Sequence, residues 1–300
     1  MKPDRSLAAA LAEDVVVLDG GLSNQLEAQG CDLSDALWSA RLLADAPEQI
    51  EAAHAAYARA GAQVLITSSY QATFEGFARR GTGREEAARL LARSVELARA
   101  AGERSEREIW VAASVGPYGA MLADGSEYRG RYGLSVAELE RFHRPRVEVL
   151  AGAGPDVLAL ETVPDADEAE ALLRAVAGCG VPVWLSYTVD GRHTRAGQRL
   201  EDAFGLAAGV DQVVAVGVNC CDPADVGPAA EIAAAATGKP VVVYPNSGEQ
   251  WDAGARSWHG GATFAPTTTA AWRTAGACLI GGCCRVGPDA IAALAATLEG

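Results

Sequence analysis

The sequence predicts an α/β protein of the (β/α)8 TIM-type barrel class, and three observations carry that expectation. Eight short β-branched runs alternate with eight longer Ala/Leu/Glu/Arg-rich stretches across 300 residues, a length that one such barrel routinely fills. The short runs are apolar throughout rather than alternating, as burial on both faces of a parallel sheet requires. No G-x-G-x-x-G turn interrupts the repeats, which favours closure over the competing doubly wound open sheet.

The units follow in order. Val15–Leu18 ends in Asp19-Gly20-Gly21 and precedes a helix near Pro47–Ala60, with Pro47 suited to the first turn. Val64–Thr67 precedes a helix near Arg84–Ala101. Trp110–Val115 leads through a long loop, Tyr118–Tyr132, to Val136–Gly152, where Pro145 should kink the helix or mark its start. Val157–Leu160 pairs with Asp165–Ala177, and Val183–Tyr187 with a short helix around Glu201–Ala208. Val213–Val218 precedes Ala224–Ala236, and Val241–Tyr244 precedes a Gly/Trp-containing loop and Thr268–Ala275. Cys278–Ile280 and Pro288–Leu298 complete the series. No linker or charge block divides the chain, so one barrel domain is expected, with its core at about residues 10–297.

Composition narrows the function classes. Hydrophobic residues make up 49% of the chain and charged residues 21%, which excludes general disorder. A net charge of −14 argues against nucleic-acid binding, which needs a basic stripe to displace counterions. Acidity of this kind otherwise reads as a solubility feature. No run approaches the roughly 20 apolar residues of a membrane span, and Leu7–Ala12 is too short for a secretory core. A cytoplasmic protein is expected. Its seven cysteines are an odd count for a disulfide scaffold, and in a reducing compartment a cysteine cluster points to metal binding or catalysis.

Barrel chemistry sits where strands end at their carboxyl edge. Those positions hold Asp19, Ser68 to Gln71, Gly116-Pro117, Glu161-Thr162, Tyr187, Asn219-Cys220, Asn246 and Cys283-Cys284. Cys220 ends the sixth run and Cys283-Cys284 the eighth, so only the barrel mouth joins them. Three thiolates with one vacancy form the catalytic rather than the structural zinc pattern. Neighbouring strand residues point to opposite faces, so Cys283 and Cys284 share a metal only if the strand has already broken, and Gly281-Gly282 supplies a flexible approach. Buried inert cysteines are the competing reading, preferred for Cys31, Cys179 and Cys278. A vicinal disulfide would be strained. Cys221 stays ambiguous beside Cys220.

Gly217-Val218-Asn219-Cys220, followed by Gly281-Gly282-Cys283-Cys284-Arg285, resembles the zinc signature of the homocysteine S-methyltransferase family. Further matching pieces are Leu18-Asp19-Gly20-Gly21, Thr67 to Thr73, Ser114 to Gly119, Glu161-Thr162 and Tyr244 to Glu249. The likeness spans about residues 10–297 and is greatest to compact bacterial and plant-type enzymes that use S-methylmethionine. It implies a (β/α)8 barrel, zinc on Cys220, Cys283 and Cys284, and methyl transfer from a sulfonium donor to L-homocysteine. S-methylmethionine is the implied donor, S-adenosylmethionine a side substrate and methionine the product. A homocysteine thiol with pKa near 8.5 is a poor nucleophile until deprotonated, and three thiolate ligands keep the site electron-rich.

The resemblance also assigns Asp19 and Glu161 to the substrate ammonium, as in the betaine-dependent relatives. A turn cap at Asp19 and an internal ion pair at Glu161 are the plain structural alternatives. Backbone amides around Gly20-Gly21 and Ser68-Ser69 are candidates for the substrate carboxylate. Asn246 joins the substrate-binding candidates at the seventh strand's exit, where Trp251 and Trp258 offer cation–π faces to a sulfonium. Thr162 stands where betaine-type enzymes can place a tyrosine, so a fourth protein ligand is not carried over. His54 and His259 lack metal-ligand spacing, and His143, in the third helical unit, reads as structural rather than catalytic.

Selenohomocysteine or selenocysteine as acceptor, a betaine-type donor and a non-catalytic zinc-binding barrel remain alternatives. So does an aldolase-like barrel enzyme, although no lysine ends a strand. The betaine-type enzymes usually carry a longer carboxyl-terminal oligomerisation segment, for which no counterpart is read here, so a monomer is expected.

Overall fold

The computed structural model describes residues 3–34, 37, 39–252 and 257–299. Its centre is an eight-stranded parallel sheet: β1 (Val16–Val17), β2 (Val64–Ile66), β3 (Trp110–Val115), β4 (Val157–Val163), β5 (Val183–Tyr187), β6 (Val213–Asn219), β7 (Val241–Tyr244) and β8 (Ala277–Ile280). Each strand pairs with its sequence neighbours, and β1 pairs with β8. A parallel bridge between Leu18 and Val64 joins β1 to β2, flanked by hydrogen bonds from Gln63 N to Val17 O and from Asp19 N to Val64 O. The expected barrel is therefore formed, with the anticipated strand order.

Each strand is followed by the helix expected for its unit: α1 (Pro47–Arg59), α2 (Arg84–Gly102), α3 (Val136–Gly152), α4 (Ala166–Val176), α5 (Leu200–Gly205), α6 (Pro223–Thr237), α7 (Thr269–Thr274) and α8 (Pro288–Glu299). Pro47 occupies the first turn of α1. Pro145 neither starts nor ends α3, which runs continuously through it. The start is set upstream, where Ser135 and Glu138 form a reciprocal capping box. The loop expected over 118–132 is partly helical, with an α-helix at Tyr118–Leu122 and a 3-10 turn at Ser126–Tyr128.

Two apolar layers fill the structure. Val17, Leu65, Val111, Leu158 and Leu185 face outward against the helices. Val16, Leu18, Val64, Trp110, Ala112, Val157, Ala159, Trp184, Ala215, Val242 and Leu279 face inward. The sets alternate along each strand because successive side chains leave a strand on opposite faces. Leu7, Ala10 and Leu11 join the inner layer from a helix at Leu7–Glu13 that precedes β1. Trp110 Nε1 donates to Arg5 O at 3.1 Å, fixing this segment to the barrel. The amino-terminal apolar patch is thus a barrel plug.

Toward the carboxyl ends of the strands the inward positions turn polar: Ser114, Glu161, Ser186 and Asn219. Gly217, on the same strand as Asn219, lies so close to β7 that a Cβ there would overlap the Val242 carbonyl oxygen. Gly217→Ala is expected to destabilise the fold by about 1–3 kcal/mol through overpacking, read as a lowered midpoint in thermal or denaturant unfolding.

Candidate active site

Barrel closure brings the sulfurs together. The Sγ atoms of Cys220, Cys283 and Cys284 all lie within 4.8 Å of one another. Cys220 and Cys283, 63 residues apart in sequence, bring their sulfurs together with Cα atoms 5.6 Å apart, and Cys284 lies beside them. The sulfurs in contact are not those of the vicinal pair. Cys220 immediately follows β6 and adopts φ +48°, a conformation costing an L residue about 1–2 kcal/mol. That turn separates Cys220 from Cys221, which is buried in the outer core among apolar side chains, where burial raises its thiol pKa. The ambiguity between the two neighbours resolves in favour of Cys220.

Cys283 and Cys284 reach one place because β8 has ended at Ile280. The role of Gly281-Gly282 is space rather than flexibility. Neither has a positive φ, and a Cβ at Gly281 would crowd Leu18 and the Asp19 carbonyl, while one at Gly282 would meet Val286. The loop after β7 holds the sulfur loop in position. Cys283 N donates to Pro245 O at 2.8 Å, Ser247 N to Cys284 O at 2.9 Å and Cys284 N to Asn246 Oδ1 at 3.2 Å. Arg285 Nε pairs with Glu249 Oε2 at 2.5 Å. Asn246 therefore supports the sulfur loop through its side chain, and its backbone N–H donates to Cys221 O.

The acidic candidates sit deeper, at the ends of β1 and β4. Glu161 accepts from the Ser114 hydroxyl through Oε1 and from the Tyr244 hydroxyl through Oε2 at 3.0 Å. Ser186 bridges Tyr244 at 2.8 Å to Asn219 Oδ1 at 2.8 Å. Asn219 in turn holds Thr162, accepting its N–H and donating to its Oγ1, both at 2.7 Å. The residue before Cys220 is thereby locked to the residue after Glu161. Asp19 Oδ2 accepts from Ile66 N at 2.8 Å, while its buried Oδ1 has no hydrogen-bond partner. Asp19 O accepts from Gly282 N at 3.0 Å, joining the acid to the sulfur loop. Neither acid caps a turn or forms an internal ion pair through the contacts described here.

Burial sets the protonation of this pair. It pushes Glu161 up to about 7 against the opposing hydrogen bonds from Ser114 and Tyr244. It also holds Asp19 well above the carboxylate range, with Glu161 adding like-charge repulsion. Each acid is destabilised in its charged form, and a cation beside them would favour their ionised forms.

The carboxylate candidates separate. Gly21 N already donates to Val286 O at 2.9 Å, so this amide is committed within the protein. A Cβ on Gly20 would overlap the Val286 carbonyl oxygen, which accounts for glycine there by close packing. The Ser69 hydroxyl is engaged by Thr67 at 2.7 Å and Ser114 O at 2.8 Å. Ser68 Oγ is buried and unpartnered, leaving it the freer of the two hydroxyls. The side chains of Trp251 and Trp258 lie outside the described residues. His143 is structural: its Nε2 lies 2.9 Å from Glu168 Oε1 and its Nδ1 2.7 Å from Arg146 Nη2. Burial keeps its pKa well below the ordinary value.

Sequence reading did not single out Ser114, Ser186 and Tyr244 as functional. The signal was present in strand parity: each lies an even number of residues beyond an inward apolar position, at Ala112, Trp184 and Val242.

The raised Glu161 pKa yields a signed stability prediction. Between its ordinary value of 4.5 and about 7, the unfolded chain releases the proton and the folded chain keeps it. This group's contribution is therefore most favourable below pH 4.5 and declines until about pH 7. Glu161→Gln is expected to gain up to about 3 kcal/mol over the parent at pH 8 and nothing at pH 4, measured by chemical denaturation of the metal-free protein.

A family model described as homocysteine S-methyltransferase matches residues 16–298. The Escherichia coli homocysteine S-methyltransferase is 46% identical, with 99% of each chain covered. Maize homocysteine S-methyltransferase 4 is 47% identical over 93% of this chain and 88% of the relative. The metallated crystal form of the Escherichia coli homocysteine methyltransferase MmuM superposes with a TM-score of 0.86 at 45% identity, covering 96% of this chain and 98% of that one. Its oxidised form gives 0.87 at the same identity, covering 98% and 99%. Likeness at this level runs from the first barrel strand into the last helix, and it makes the chain a member of the homocysteine S-methyltransferase family.

Proposed function

We propose that this protein transfers a methyl group from S-methylmethionine to the thiol of L-homocysteine, giving methionine, and that Cys220, Cys283 and Cys284 hold the required zinc in their reduced form. S-adenosylmethionine, which carries the same sulfonium, is the secondary donor. The observation that carries the reading is one mouth containing three convergent sulfurs and two buried carboxylates, with Asp19 O bonded to the Gly282 amide between them. We further take it to act as a monomer in a reducing cytoplasm, a setting suited to thiol ligands.

The donor set fits zinc. Three soft sulfurs suit zinc rather than magnesium or calcium, which prefer oxygen. When bound, zinc would lower the pKa of the homocysteine thiol so that it reacts as a thiolate.

The chain's own residues supply the remainder. Asp19 and Glu161 take the homocysteine ammonium, which relieves their mutual repulsion and the unpartnered Asp19 Oδ1. Ser68 Oγ, buried without a partner, supports its assignment as donor to the substrate carboxylate. The Ser114–Glu161–Tyr244–Ser186–Asn219 chain fixes the Glu161 oxygens, so the ammonium meets an oriented receptor. In the reaction the methyl–sulfur bond to the donor breaks as a bond to the homocysteine sulfur forms. The breaking bond's electron pair stays on the donor sulfur, which leaves as neutral methionine, and the thiol proton goes to solvent. A thioether leaving group requires no general acid, which agrees with the structural role of His143.

Cys220→Ala, Cys283→Ala and Cys284→Ala are each expected to abolish stoichiometric zinc and to reduce methyl transfer by about a thousandfold or more, measured by metal analysis and methionine formation under reducing conditions. Full activity in any of the three would refute the assignment. Asp19→Asn is expected to retain zinc and raise the homocysteine KM about 10–100-fold. Asn246→Ala, which removes the side-chain acceptor for Cys284 N, is expected to weaken zinc affinity about 10–100-fold, read by chelator competition.

A further inference from the structure

We infer that Glu127, Tyr128 and Arg195 form the donor subsite, a rim outside the sulfur cluster that reads both charged ends of a zwitterionic sulfonium amino acid. This rests on the methyl-transfer reading above and specifies how the second substrate is held.

Tyr128 is the one exposed large hydrophobic residue among those described, at 37% accessibility, while its hydroxyl end is buried beside Cys284. An aromatic side chain partly open to solvent and ending at the sulfur centre suits a sulfonium, which an aromatic face attracts through its quadrupole. Glu127 precedes it in the same 3-10 turn. Its Oε2 is buried without a hydrogen-bond partner, and it faces Cys284 and Tyr70 electrostatically. An orphaned buried carboxylate oxygen is costly unless a cation visits it. Arg195 comes from a different loop, after the short hairpin Val189–Asp190/His193–Thr194. It faces Tyr128, Cys221 and Asp225, and its Nε is buried and unpartnered.

The two loops are fastened together close to these residues. Arg131 donates from Nε and Nη2 to Ala196 O at 3.0 and 2.8 Å, and Arg131 N donates to Asp165 Oδ2 at 3.1 Å. Ala196 N donates to Pro164 O at 2.9 Å, and Gln198 Nε2 to Asp165 Oδ1 at 2.6 Å. Asp165 thus anchors both segments, and neither Glu127 nor Arg195 contributes to the fastening.

The acceptor's amino-acid end goes inward to Asp19 and Glu161, so the donor approaches from the solvent side, where Tyr128 is accessible. There Glu127 takes the donor's α-ammonium, Arg195 its α-carboxylate and Tyr128 its sulfonium. The methionine portion common to S-methylmethionine and S-adenosylmethionine satisfies all three. Glycine betaine has no primary ammonium for Glu127, so the same rim selects against it.

The test combines steady-state kinetics with calorimetric binding of S-methylmethionine to the zinc-loaded and zinc-free chain. Glu127→Gln and Arg195→Gln are expected to raise the donor Kd and KM about tenfold or more, with zinc content and homocysteine KM within about twofold. Tyr128→Leu is expected to raise the donor KM more than Tyr128→Phe. With trimethylsulfonium, which lacks both charged amino-acid groups, the Glu127 and Arg195 effects should vanish while the Tyr128→Leu effect persists. Unchanged donor binding in all three variants of an active enzyme, or no S-methylmethionine binding by the parent, would overturn the subsite. Glu127-dependent donor binding without methionine formation by the parent would instead overturn the reaction assignment and leave the subsite standing.

Discussion

Closure of the parallel sheet is the constraint on which the remaining structure depends. Once β1 joins β2 through Leu18 and Val64, all eight strands deliver their carboxyl ends to one ring. Cys220 and Cys283, 63 residues apart, then have Cα atoms separated by 5.6 Å. No local turn achieves that approach. The inward side of the same strands changes from Trp110, Val157 and Trp184 in the interior to Ser114, Glu161 and Ser186 nearer the mouth. An apolar plug therefore supports a polar layer, and the polar layer supports the sulfurs.

The site is assembled by cross-links between neighbouring strand ends rather than by any one loop. Asn219 ties β6 to β4 through Thr162, Gly282 ties the sulfur loop to Asp19, and Asn246 ties it to β7. Cys220, Thr162 and Arg285 all adopt positive φ, a strain maintained by this surrounding bonding. Each of these residues lies in or next to the sulfur and carboxylate groups. The conformational cost falls where side chains must leave the strand direction to face the mouth.

Electrostatics gives the two halves of the site different needs. Desolvation raises the pKa of both buried acids, Glu161 to about 7, and Glu161 adds like-charge repulsion at Asp19, so they favour a ligand that brings positive charge. The sulfurs favour a soft cation and an incoming thiol. An amino acid bearing a thiol at one end and an ammonium at the other answers both requirements. Around the rim, the unpartnered Glu127 oxygen and Arg195 nitrogen extend the same logic to a second zwitterion.

Much of this was readable in the sequence because it depends on local pattern. The apolar runs marked all eight strands, the alanine-rich stretches gave their helices to within a few residues, and glycine-preceded cysteines after the last strand marked the sulfur centre. The helix at Leu7–Glu13 was missed because its apolar face has meaning only against the barrel floor. The choice between Cys220 and Cys221 likewise required the φ of the turn after β6. Gly281 and Gly282 were legible as special positions, but their reason, contact with Leu18, Asp19 and Val286, belongs to packing between distant segments. Sequence alone determined the repeating architecture and the chemical types gathered at its mouth, because periodicity and side-chain chemistry are local properties. Tertiary structure alone decided which of those groups face one another, how deeply the acids are buried and which polar atoms lack partners, because desolvation and long-range contact exist only once the sheet has closed.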